Sequence, residues 1–173
     1  MRTMLKKRPP HRAGSHTGFF NLGGLAVVLL SLAPGLVRGE GVPGLVLKLT
    51  SAAGQSDARV ARTVALHVPD GAPVSPFLEQ GGFTARWEGK LVLEKRSRLV
   101  FHLAGTGEGR LLVDGEELVP ALGASMESMR LRSGEHEFVV EYTPPAKGDA
   151  TLRLLWEGRE FGREPMPGGL FVH

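Results

Sequence analysis

Apolar and polar residues alternate one by one in several parts of the chain. In the segment 83–88, Phe83, Ala85 and Trp87 alternate with polar or charged side chains. A period of two places every second side chain on the same face of a β-strand. The pattern therefore predicts a half-buried strand here and in three later segments with the same alternation, residues 98–103, 137–142 and 151–156. Trp87 and Trp156 both fall on the apolar face of their segments, which predicts that they belong to the core.

Two shorter apolar runs, residues 45–49 and 64–68, predict two earlier strands. The small polar residues 51–56 between them predict a loop. Residues 57–63 form the one segment after residue 40 with helix-like character, about two turns long and poorly capped. Residues 69–82 contain three prolines and three glycines, which predicts a long extended loop.

Turn residues separate the predicted strands. Asp114-Gly115 lies between the apolar segments 110–113 and 116–119 and predicts a β-hairpin. Gly89 predicts a bulge or bend within the first alternating strand. No segment has the length and pattern of a crossover helix, so the strands are expected to pair antiparallel. The sequence thus predicts an all-β fold, an antiparallel β-sandwich or barrel.

The first 39 residues have the pattern of an export signal. They contain six basic residues and no acidic ones, and the apolar run 25–33 ends at Pro34-Gly35. Small residues before the junction of Gly39 and Glu40 predict cleavage there. An uncleaved anchor is the alternative, because residues 19–37 carry no charge and span 19 positions. Both interpretations place residues 40–173, expected to form a single domain, outside the cytoplasm.

Composition and charge exclude several classes of protein. The 173 residues include no cysteine, so disulfides, thiolate zinc sites, iron–sulfur clusters and covalent haem are excluded. The pI of about 9.6 depends on the six basic residues of the export signal, here called the leader. From residue 40 onward there are 15 Lys and Arg against 18 Asp and Glu, without a basic run or stripe. Nucleic-acid binding is therefore not expected, and contact with a membrane is expected only if the leader is retained.

No motif specifies an enzyme. The glycine-rich residues 105–109 precede a predicted strand rather than a helix, unlike a nucleotide-binding loop. His136-Glu137 lacks the second histidine of a zinc-protease motif. Five acidic residues could in principle supply a carboxylate pair for glycoside cleavage, but nothing in the sequence pairs them: Glu88, Glu94, Glu108, Asp114 and Glu116. The chain is expected to be non-catalytic and to need no cofactor.

An ordered set of motifs from residue 82 to residue 171 resembles the protective-antigen fourteen-kilodalton (PA14) domain family. Residues 83–89 match the family's aromatic–x–x–Arg–Trp–x–Gly strand, and residues 110–115 match its Arg–Leu–x–Val–Asp–Gly hairpin. Residues 134–142 match its Gly–x–His…Glu–Tyr strand, and residues 148–156 match its Gly–x–Ala–x–Leu–x–Leu–x–Trp strand. Residues 99–103 match the strand between the first two. The resemblance implies a β-sandwich of the PA14 type.

The resemblance also suggests a ligand class. Adhesins of this family bind sugar through calcium held by two adjacent aspartates just before the Gly–x–Arg–Leu stretch. Thr106 and Gly107 occupy those positions here, so the calcium ligands are missing. The first hypothesis is therefore an exported module that binds glycan or cell-envelope polysaccharide without calcium. Its candidate ligand-binding residues are Thr106, Glu108, Arg110 and Asp114.

A second hypothesis is an interaction or spacer module with an exported protein partner. Residues 57–62 and 68–73 resemble the lead-in of amino-terminal modules of exported bacterial proteins that continue into a c-type cytochrome domain. This chain has no Cys-x-x-Cys-His, so the haem function is not implied. A glycosidase is the third and least favoured hypothesis.

Overall fold

The computed structural model describes residues 41–124 and 128–173, and the expected leader with Gly39 and Glu40 lies outside them. The described residues form two antiparallel sheets. The large sheet has the order β2-β1-β4-β9-β6-β7, with β12 beside β4. Its strands are β1 (Leu45–Ser51), β2 (Ser56–Ala61), β4 (Phe83–Leu93), β6 (Glu108–Val113), β7 (Glu116–Val119), β9 (Gly134–Thr143) and β12 (Phe171–Val172).

The small sheet has the order β11-β10-β5-β8, with β3 beside β10. Its strands are β3 (Ala65–Val68), β5 (Ser97–Gly105), β8 (Met129–Leu131), β10 (Ala150–Gly158) and β11 (Phe161–Pro165). A single 3₁₀ turn at Gly168–Leu170 precedes β12. Among residues 41–124 and 128–173, no helix is both long and apolar enough to cross a membrane.

The core lies between the two sheets. The alternating segments predicted as strands correspond to β4, β5, β9 and β10, and their apolar faces are buried. Phe101 of the small sheet and Phe138 of the large sheet meet edge to face with ring centroids 6.3 Å apart. Trp87 is fully buried, as predicted. Trp156 is only half-buried at the rim of the core, against Phe161. The all-β antiparallel sandwich expected from the pattern is confirmed.

The loop predicted between the first two strands is a tight turn at residues 52–55. The helix-like character predicted for residues 57–63 was wrong, because residues 57–61 belong to strand β2, paired with β1 from Leu45–Ala61 to Thr50–Ser56. β2 is an edge strand, and most of its side chains are exposed. Because neither face of β2 is covered, its sequence carries no alternation, and pairing with β1 decides its conformation.

Gly89 does not form a bulge either. The β4–β9 register runs without a shift from Ala85–Tyr142 to Leu93–Gly134. Gly89 instead lies where the edge of β4 passes from β1 to β12. A Cβ atom there would lie 2.7 Å from the Val172 carbonyl oxygen and 2.8 Å from Leu45 Cδ2. The glycine is needed for close approach of two strands, not for a bend.

The predicted hairpin at Asp114-Gly115 is confirmed. Both residues have positive φ, 52° and 79°, as in the two-residue turns that suit twisted hairpins. The Asp114 carboxylate also contacts β9. Its Oδ1 accepts the Glu137 N–H at 2.9 Å, and its Oδ2 lies 2.7 Å from His136 Nδ1. Asp114 therefore holds the hairpin against the start of β9.

His136 is buried between two acceptors. Its Nδ1 faces Asp114, and its Nε2 lies 3.0 Å from the Arg132 carbonyl oxygen. Burial by itself lowers the pKa of His136, but the hydrogen bonds with Asp114 and Arg132 outweigh it and raise the pKa above 6.5. The doubly protonated imidazolium donates to both acceptors at once.

Because the pKa of His136 is raised in the folded state, its contribution to the free energy of unfolding is complete below pH 6.5 and is lost as pH rises through the raised value. We expect Asp114→Asn, which tolerates positive φ but carries no charge, to cost about 1–3 kcal/mol in weakly acidic buffer and less in alkaline buffer. Urea unfolding in both buffers measures this. Glu116→Gln on the same hairpin is the control. An equal loss in both buffers would contradict the ionic contact.

Gly89→Ala should destabilise the fold because β12 must move away from the added methyl group. We expect a loss of about 1–3 kcal/mol of unfolding free energy. Gly162→Ala is the matched control, because a Cβ there meets no atom within 4 Å. Thermal unfolding of both variants checks the prediction, which fails if the two are equally stable.

Candidate functional site

Two loops enclose a cleft at one end of the sandwich. The β3–β4 loop, residues 69–82, and the β9–β10 loop, residues 144–149, face each other across a cavity of about 370 Å³. We call it the loop-end cleft. The residues that line it are mostly small or polar and include Asp70, Gly71, Gln80, Gly82, Thr143, Pro144, Pro145 and Gly148.

The sequence fixes the shape of both loops through glycine and proline. Gly71 and Gly148 have φ of 74° and 87°, which other residues rarely adopt. Gln80 Nε2 donates to the Gly71 carbonyl and closes the first loop on itself. Since Pro144 and Pro145 restrict the second loop as well, both walls of the cleft are held in place.

Asp149 joins the two loops. Its Oδ1 accepts the Asp70 N–H at 3.0 Å, and its Oδ2 lies 3.5 Å from His67 Nε2. The hydrogen bond from the Asp70 backbone, followed by that with His67, lowers the pKa of Asp149 below its ordinary value of 3.8. The carboxylate therefore remains charged and keeps the walls of the cleft together at neutral pH.

Thr106 supports the second loop from behind. Its Oγ1 donates to the Asp149 carbonyl at 2.6 Å and accepts the Thr151 N–H at 3.0 Å. The neighbouring Gly107 leaves no room for a side chain, because a Cβ would lie 2.4 Å from the Thr143 carbonyl oxygen. The hydroxyl group of Thr106 is thus committed to the loop, and this residue positions the cleft rather than lining it.

Glu108 and Arg110 line a separate depression of about 270 Å³, which shares Thr143 with the loop-end cleft. We call it the side depression. Arg110 Nε lies 2.5 Å from Glu141 Oε2, so its charge is already paired. The Glu108 carboxylate has no hydrogen bond or ion pair with any residue of 41–124 or 128–173 and is free to accept.

Asp114 lies apart from the other three predicted site residues. Strand β6 separates it from Glu108 by about 20 Å, at roughly 3.3 Å per residue. The structure therefore brings Glu108 and Arg110 together and places Thr106 behind the neighbouring cleft. Asp114 instead contacts the start of β9 from the hairpin.

Sequence analysis did not identify Asp70, Gln80, Thr143 or Asp149. The proline- and glycine-rich composition of residues 69–82 was the available signal, because loops held on a rigid sandwich often carry binding sites. In the described ranges, no three His, Asp or Glu side chains come close enough to hold a metal ion.

No family model matches the chain, and no curated protein sequence matches it. Solved structures do. An anti-sigma factor domain-containing protein from Clostridium clariflavum is 20% identical, with a TM-score of 0.65, and the match covers 79% of this chain and 49% of that chain. The match to a second anti-sigma factor domain-containing protein covers 47% of that protein's chain. This chain thus spans about half the length of these relatives.

Two sugar-related domains have the same architecture. The PA14 sugar-binding domain from an RTX adhesin is 14% identical, with a TM-score of 0.58, over 76% of this chain and 99% of that chain. The epithelial adhesin 6 A domain from Candida glabrata, in complex with Galβ1-3GlcNAc, is 8% identical, with a TM-score of 0.57, over 76% and 87%. None of these proteins is named as a cytochrome. At such identities the similarity shows the fold, and the chain has the antiparallel β-sandwich fold of PA14 domains.

Proposed function

We propose that this chain is a non-catalytic carbohydrate-binding module whose ligand occupies the loop-end cleft. The observation that carries the proposal is the cleft itself, a cavity of about 370 Å³ between two loops joined through Asp149, with the polar side chains of Asp70, Gln80 and Thr143 in its lining. A preformed cleft avoids the entropic cost of ordering loops around a ligand. Sugar-binding domains with the same fold support this assignment.

The residues of the cleft suit sugar hydroxyl groups. The Asp70 carboxylate accepts hydrogen bonds, and Gln80 and Thr143 combine donors with acceptors. Glu108 in the side depression lies on the far side of Thr143 and offers a further acceptor. A ligand longer than one sugar ring would pass over Thr143 and contact Glu108.

The same cleft is poorly suited to catalysis. Glycoside hydrolysis uses two carboxyl groups that flank the scissile bond. Among the described residues lining the cleft, Asp70 supplies the only carboxylate. We infer binding without cleavage, in an exported protein as the N-terminal pattern predicts.

A protein ligand is the second candidate. Phe77, in the β3–β4 loop, exposes 78% of its surface to solvent. Its backbone is held by Ser75, whose hydroxyl donates to Asp57 Oδ2 at 2.6 Å. An ordered, exposed aromatic ring suits an exported protein partner, and Phe77→Ala would then abolish capture of that partner without affecting sugar binding.

A panel of immobilised glycans that includes Galβ1-3GlcNAc, probed with the full chain, tests the carbohydrate assignment. Gly82→Trp fills the cleft without strain, because a Cβ at Gly82 meets no atom within 4 Å. We expect it to weaken binding of the recognised glycan by about tenfold or more, with an unchanged Tm. Gly162→Trp, an equally open position on β11, is the matched control and should bind normally. Absence of binding across the panel, or equal binding by both variants, would contradict the proposal.

Calcium should not be required. Thr106 and Gly107 offer no carboxylate at the positions where PA14 adhesins hold the ion, and the described residues form no alternative cluster. We expect glycan affinity to be the same in excess calcium and in chelator. A chelator-sensitive affinity, measured by titration calorimetry, would show that a metal takes part.

A further inference from the structure

Five basic side chains converge at the other end of the small sheet. They come from three separate segments: the β4–β5 connection with the start of β5, strand β8, and the β10–β11 connection. Together they line two adjoining cavities of about 350 and 480 Å³, here called the basic clefts: Lys95, Arg96, Arg98, Arg130 and Arg159. Lys95, Arg96 and Arg98 are near neighbours in the sequence, and the fold adds Arg130 and Arg159 to them.

Arg98 and Arg130 lie directly opposite each other in the β5–β8 pairing. Like charges at directly opposed positions destabilise an antiparallel pair. Neither residue, nor Arg159, has an ion pair with any residue of 41–124 or 128–173. Two exposed arginines thus lie at opposed positions of the sheet without an ion pair to any described carboxylate.

The two acidic residues of the basic clefts already have other partners. Glu157 Oε2 lies 3.6 Å from Arg163 Nε and 3.5 Å from His102 Nε2. Glu160 lies 3.7 Å from Lys95. These carboxylates therefore leave the three arginines shared by both clefts unneutralised.

The outer face of the large sheet shows the opposite arrangement. Arg86 of β4 and Arg110 of β6 lie on either side of Glu141 of β9, and both contact its carboxylate. Arg110 also faces Glu117 at 3.5 Å. Arg86 and Arg110 are thus paired with a carboxylate across the strands, whereas Arg98, Arg130 and Arg159 have no such partner among the described residues.

An anionic sugar suits these surroundings. A guanidinium group binds carboxylate or sulfate through two parallel hydrogen bonds. The ring of Phe161 lines the same cleft as Arg98 and Arg159 and is supported by Trp156, with centroids 4.6 Å apart. A half-buried aromatic ring beside the arginines offers an apolar surface to the face of a sugar ring, which a simple inorganic anion would not use.

We propose that the basic clefts bind the anionic groups of an acidic glycan, carboxylate or sulfate, through Arg98, Arg130 and Arg159. This site extends the carbohydrate-binding function proposed above, but it is separate from the loop-end cleft. Since the clefts adjoin, neighbouring charged units of one polymer occupy both.

Affinity electrophoresis of the full chain in gels containing polygalacturonate, dextran sulfate or neutral dextran tests the proposal. We expect retardation by at least one of the two acidic polymers and none by neutral dextran, and the polymer that acts identifies the anionic group. The double variant Arg98→Gln/Arg130→Gln should bind about tenfold or more weakly. Its Tm should be equal to or above that of the unaltered protein, because a like-charge contact is removed.

The double variant Arg59→Gln/Arg153→Gln is the matched control, since it also removes two exposed charges, from β2 and from β10, and neither residue lines the basic clefts. Equal weakening by this control, a lower Tm in the Arg98→Gln/Arg130→Gln variant, or no retardation by either acidic polymer would overturn the proposal. So would binding of polyglutamate or single-stranded DNA as tight as that of the acidic glycans.

Gly82→Trp separates the two sites. Retained binding of the acidic polymer by this variant supports a site at the basic clefts, whatever the glycan panel shows. Loss of that binding would place the anionic ligand in the loop-end cleft and overturn only the present proposal.

Discussion

The pairing of β4 with β9 at the centre of the large sheet positions the strands on either side of it. The two strands match continuously from Ala85–Tyr142 to Leu93–Gly134. A slip by one residue would turn Trp87 and every other core side chain of one strand towards solvent, so burial fixes the register. The other edge of β4 then receives β1 and β12, and the other edge of β9 receives β6. The contact between Asp114 and the start of β9 follows from that same register.

This arrangement places different chemistry at the two ends of the sandwich. The loop end is built from two loops joined by hydrogen bonds, above all through Asp149. The other end gathers arginines that no described residue neutralises, Arg98 and Arg130 among them. The first end suits neutral hydroxyl groups, and the second suits anionic ones. A polysaccharide-binding module gains specificity when separate surfaces recognise separate parts of a polymer.

The local sequence predicted the strands that bury only one of their two faces. Alternation identified β4, β5, β9 and β10, and the Asp114-Gly115 turn identified the β6–β7 hairpin. It failed at β2, an edge strand whose conformation comes from its neighbour, and at Gly89, where the constraint is a strand from the far end of the chain. The basic clefts were missed although Lys95, Arg96 and Arg98 lie together in the sequence, because only sheet pairing brings Arg130 opposite Arg98. Asp114 and Glu108 are near each other in the sequence and were both predicted to bind ligand, but the full length of strand β6 separates them.

Carbohydrate binding at the loop end of this sandwich can be followed by NMR, through the backbone amide chemical shifts of the full chain as the recognised oligosaccharide is added. We expect the shift changes to concentrate in residues 69–82 and 143–149, with smaller changes at Glu108 across the side depression. Changes confined to other surfaces, or no changes at saturating sugar, would contradict binding at the loop end.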